Sequence, residues 1–82
     1  MVDISIEEQN AIFNIRKEET NLQRMEYEYK IQEQEFDLRI DQAKFEPIKL
    51  ENEKNKVLAG IKSNIDGSKL KINKMKDGLK NG

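Results

Sequence analysis

The chain has no cysteine, no histidine and no tryptophan, and only one proline and four glycines among its 82 residues. Without cysteine there is no disulfide, and without cysteine or histidine the usual zinc ligand sets cannot be assembled. The same absences remove the commonest general base and the strongest side-chain nucleophile. Ser5, Thr20, Ser63 and Ser68 therefore lack an activating partner, and no glycine-rich phosphate loop or calcium-loop spacing of acids occurs. Paired carboxylates such as Glu18 with Glu19, or Glu33 with Glu35, read as surface charge. These absences predict a protein that is not an enzyme and uses neither cofactor nor metal.

Apolar content is low as well. Hydrophobic residues make up 35% and charged residues 38%, against an apolar share (counting glycine) of ~45–50% in ordinary globular domains. A chain this short hides only about 60–65% of the surface its unfolded form exposes. With disulfides and metals excluded, oligomerisation or docking on a larger partner is the remaining means of stabilisation. No run reaches the ~18 apolar residues of a membrane-spanning helix. The opening Met1–Glu8 has neither the basic nor the apolar region of a secretory signal. A cytoplasmic location, or one within a virion or other assembly, is expected rather than secretion.

What the chain does have is a seven-residue repeat: Ile15, Leu22, Tyr29, Phe36, Ala43, Leu50 and Val57. Ser5-Ile6-Glu7-Glu8 fits the capping box, in which Ser5 accepts from the backbone N–H of Glu8. A helix should therefore begin at residue 6, after a lead-in over residues 1–5. From Ile6 to Phe45 there is neither glycine nor proline, and Glu, Gln, Lys, Arg and Leu dominate. Ile15, Leu22, Met25, Tyr29, Phe36 and Ile40 fall on one side of that helix. Tyr27, Ile31, Leu38 and Phe45 cluster about half a turn away. Two apolar faces imply neighbours on both sides. A leucine zipper is excluded because Glu18, Gln32 and Arg39 stand where its second apolar row belongs.

Residues 25–40 also alternate apolar with polar, the period of a strand. That rival needs a β-hairpin turn at Gln32-Glu33-Gln34-Glu35, which has none of the usual turn formers. Helix is the favoured reading.

Pro47 withdraws a backbone donor and biases Glu46 away from helical geometry, so it either kinks one long helix or turns the chain between two. The repeat keeps its phase from Ala43 to Leu50 and Val57, which favours a kinked rod. The expected architecture is all-α: a long acidic amphipathic helix over residues 6–46, kinked at Pro47 and continuing as a basic amphipathic helix. Coiled-coil-like or bundle packing against partner chains would bury its faces. A second segment spans residues 47–66, with a break expected at Asp66-Gly67-Ser68. A lysine-rich stretch over 67–82 follows and should fray at its end.

Charge is divided between the halves. Up to Glu46 twelve acids face six bases; from Pro47 onward nine lysines face four acids. Lys69, Lys71, Lys74 and Lys76 are candidate anion-contacting residues, but no arginine or aromatic residue accompanies them to read or stack bases. The interface candidates are Ile15, Leu22, Met25, Tyr29, Phe36, Ile40, Leu50, Val57 and Ile61, with Tyr27, Ile31, Leu38 and Phe45 on the second face. The function these features imply is a small helical structural or scaffold-type subunit, working through contacts with itself or a larger assembly. The Lys-, Asn-, Ile- and Glu-rich composition suits a bacteriophage or bacterial complex. A chaperone or inhibitory adaptor, and a nucleic-acid-associated helical protein using the lysine-rich end, are the alternatives.

Overall fold

The computed structural model describes residues 5–81, with side chains through residue 79. Residues 1–4 of the expected lead-in therefore lie outside the described residues. Ser5 does cap the first helix: its Oγ accepts from the Glu8 N–H at 3.1 Å, with ψ 159° placing its backbone outside the helix. Helix α1 runs Ile6–Gln42 and α2 runs Pro47–Asn81. Residues 25–40 are helical throughout, so the strand-like alternation there does not form a hairpin.

The break near Pro47 is sharper than the expected kink. A continuous rod through both helices would extend roughly 108 Å at 1.5 Å per residue, yet the longest dimension is 66 Å. α2 folds back antiparallel on α1, as shown by Lys54 meeting Asp37 near the turn and Lys76 meeting Glu19 far from it. Proline is the physical reason. At the first position of a helix its missing N–H costs nothing and its fixed φ is already helical. Pro47 therefore starts α2 instead of bending α1.

The first helix stops at Gln42, short of the expected residue 46. Ala43 turns extended (ψ 123°) while its N–H donates to the Ile40 carbonyl at 3.2 Å. Glu46 adopts a left-handed φ of 59°, which costs a residue bearing a side chain about 1 kcal/mol. That conformation completes the reversal, and the Glu46 carbonyl then accepts from the Leu50 N–H at 3.4 Å.

Both helices face each other along seams with alternating steps of three and four residues. On α1 the seam runs Ile15, Glu18, Leu22, Met25, Tyr29, Gln32, Phe36 and Ile40. On α2 it runs Lys54, Leu58, Ile61, Ile65, Ser68, Ile72, Met75 and Leu79. All sixteen are buried or half-buried. The buried apolar residues are Ile15, Phe36, Leu58, Ile65 and Ile72, each still 6–7% exposed. Two helices alone have no further layer to complete a core. Arg39 lies 5.6 Å from the centre of the Phe36 ring and roofs it.

Val57, expected on the stripe, is 39% exposed, and its neighbour Leu58 takes the core position. The seven-residue phase carried across Pro47 has no structural meaning once the chain reverses; α2 sets its own phase. The expected break at Asp66-Gly67-Ser68 is also absent: α2 runs without interruption from Pro47 through Ser68 to Asn81. Ile65, Ser68 and Ile72 are all held against α1, and that packing outweighs the roughly 1 kcal/mol helix penalty of one glycine. The backbone stays helical to Asn81, where fraying was expected.

Candidate functional site

The most elaborate polar cluster joins the two helices at the middle of α2. Ser68 is buried at 6% exposure, and its Oγ donates to Glu18 Oε1 at 2.8 Å. Lys71 Nζ stands 3.5 Å from the other carboxylate oxygen. The small serine leaves room for the glutamate in a seam that otherwise demands apolar side chains. This is why Glu18 tolerates a position where a zipper would place leucine. A polar pair inside an apolar seam specifies register, because a slipped alignment would strand both groups.

The cluster is poorly suited to catalysis. The Ser68 hydrogen bond, with Lys71 assisting against the opposing effect of burial, lowers the Glu18 carboxyl pKa below its ordinary value. A carboxylate so stabilised is a weak base, and Ser68 is shielded from any substrate. A group with a lowered folded-state pKa stabilises above its unfolded pKa, and the contribution disappears as pH falls through the folded value. Acidification from pH 7 to below the usual carboxylate range should therefore destabilise the hairpin. Thermal melts of Glu18→Gln should show a smaller loss over the same interval; an unchanged pH profile would mean that this cluster does not contribute.

A charged border flanks the seam. Lys62, Lys69 and Lys76 recur every seven residues on α2, and Glu19, Glu26 and Glu33 do so on α1. Lys76 lies 3.9 Å from Glu19, and Glu26, Lys62 and Lys69 line one shallow depression. Lys54 Nζ contacts Asp37 at 2.5 Å, which raises the lysine pKa, with Glu33 and Glu51 adding to the effect. Exposed pairs of this kind each contribute little. Together they match a basic α2 to an acidic α1.

The candidate anion-contacting lysines do not gather on one surface. Lys69 and Lys76 lie on one side of α2, and Lys71 and Lys74 on the other, from their 100° spacing. Two of the four already face carboxylates of α1. A depression of about 920 Å³, open to solvent, follows α1 from Phe13 to Arg24 with Lys71 and Met75 at its edge. It encloses nothing. Among the described residues no group of acidic side chains converges to hold a metal, and no helix is long and apolar enough to cross a membrane.

The interface candidates divide into two sets. Ile15, Leu22, Met25, Tyr29, Phe36, Ile40, Leu50 and Ile61 are buried or half-buried in the hairpin. The other helix of the same chain already covers them. The second face is open: Tyr27 is 67% exposed, Leu38 57% and Phe45 84%, and only Ile31 is half-buried. Phe13, 65% exposed, extends this row toward the N-terminus, while Phe45 sits beyond the helix in the turn. Large apolar side chains aligned on one exposed helix face mark an interaction surface, whereas scattered ones need no explanation.

Leu58 and Ser68 are the seam residues that a reading by seven-residue steps overlooks. The signal for them was present: Leu58, Ile61, Ile65, Ser68, Ile72, Met75 and Leu79 step regularly by three and four. Comparison of the chain with protein-family models, with characterised protein sequences and with solved structures finds no match. The fold defines an elongated, antiparallel helical hairpin.

Proposed function

We propose that this chain is a non-enzymatic structural or assembly subunit that works by docking the outer face of α1 on protein. The observation supporting this is the row of exposed Phe13, Tyr27 and Leu38 with half-buried Ile31 among them, set opposite the seam that α2 covers. A two-helix hairpin with a thin core gains stability from a third surface, and aromatic side chains are the strongest anchors for one. The composition suits a bacteriophage or bacterial assembly. An adaptor or chaperone would use the same face toward one foreign target. The nucleic-acid reading is disfavoured, because Lys71 and Lys76 are engaged with Glu18 and Glu19.

The test is a double substitution on the open face, Tyr27→Glu with Leu38→Glu. Both positions are exposed on the hairpin, so the variant should keep the helicity of the native chain. Native electrophoresis of extracts from cells making the protein should show the native chain in a discrete assembly and the variant released from it. A native chain that migrates free, or a variant that stays assembled, overturns the proposal.

A further inference from the structure

We infer that the occupant of this outer face is a second copy of the chain, with the two α1 helices antiparallel about a twofold axis near Tyr29. The inference rests on the docking reading above and names its partner. Its basis is the pattern of residues on the open face, which is complementary to its own reverse.

Antiparallel packing brings each residue level with the one equally far on the other side of Tyr29 in the second copy. Tyr27 then meets Ile31, and Thr20 meets Leu38. These four positions form the uncharged centre of the face, and all but half-buried Ile31 are exposed. The charges complement in the same alignment, each pair falling within one residue of level. Arg24 comes beside Glu35 of the second copy, on one border of the row. Arg16 comes beside Asp41 on the other border. The twofold axis makes each pair twice.

Arg16, Arg24, Glu35 and Asp41 are all exposed, and none joins the three ion pairs found among the described residues. Cations in the first half of the face and acids in the second thus await a partner running the other way. A parallel copy would instead leave Arg24 level with Arg24 and Glu35 level with Glu35, so that no cation of the row meets an acid. The twofold arrangement leaves the α2 helices on the outside, where their lysines stay solvated.

Absent native cysteine, paired single-cysteine variants give a direct test. Thr20 and Leu38 lie on one helix roughly 27 Å apart, so Thr20→Cys and Leu38→Cys cannot bridge within a chain or between like copies in the antiparallel arrangement. Mixing the two variants under mild oxidation should give a covalent dimer of twice the 9.6 kDa chain mass. Neither variant alone should do so. Sedimentation of the native chain should show the same dimer. Arg24→Glu should weaken it about tenfold or more, and adding Glu35→Arg should restore it.

Circular dichroism on each variant controls for folding. A native chain that is helical yet sediments as a monomer up to about 100 µM overturns the second-copy inference. The docking reading would then stand or fall on its own assay in cell extracts. Cross-linking of Thr20→Cys with itself, without the mixed product, means a parallel pair and overturns the antiparallel arrangement.

Discussion

Phe36→Ala is expected to bring the hairpin to the edge of unfolding. Truncating a buried phenylalanine costs ~3–5 kcal/mol, and a small domain has only about 5 kcal/mol or slightly more to lose. Phe36 is 6% exposed, one of five buried apolar residues, and the change also removes the ring beneath Arg39. Leu38→Ala, two residues away but 57% exposed, should change the stability of the undocked hairpin by less than about 0.5 kcal/mol. Urea titration followed by circular dichroism measures both. In a Tyr27→Glu/Leu38→Glu background, where the outer face is blocked, the Phe36→Ala loss should not depend on protein concentration, because its contacts are made within one chain. A loss that varied with concentration would mean that the inner seam is an intermolecular one, and would sink the hairpin.

The opposite sign is expected from the triple change Gly60→Ala, Gly67→Ala and Gly78→Ala. All three glycines are helical, none has a positive φ, and a methyl group at any of them would meet open space. Each substitution should then recover ~0.5–1 kcal/mol of helix propensity and unfolded-state entropy. The sites are separated by at least seven residues, so the gains should add to about 1.5–3 kcal/mol. In a chain of this size that corresponds to a rise in melting temperature of about 10 °C or more. A lower melting temperature would show that α2 needs a bend at one of these positions.

Much of the local structure was legible from the chain. The cap at Ser5, the helical character of residues 6–42 and the two apolar faces of α1 follow from propensity, capping chemistry and periodicity. These are properties of neighbouring residues. The direction taken after Pro47 was not legible in the same way. A proline between two helical stretches is compatible with a kink or with a new start, and the apolar phase across it was coincidental. Val57 fitted the repeat and Leu58 did not, yet Leu58 packs, because the relevant phase is measured along α2 alone. The Asp66-Gly67-Ser68 break was misread for a related reason: local propensity favoured a stop, and contacts with α1 overrode it.

The open face of α1 was also present in the pattern, as Tyr27, Ile31 and Leu38. What periodicity lacked was the means to say which face would be covered from within. By itself, the sequence determined that the chain is helical, that α1 has two apolar stripes, and that acidic and basic halves complement each other. Only the tertiary structure decided that the complement is satisfied inside one chain, with Ser68 seated on Glu18 and one stripe left free. The physical reason is reach. Propensity and capping act over a few residues, whereas the reversal at Ala43–Glu46 and the pairing of residues fifty apart depend on the packing free energy of the whole seam.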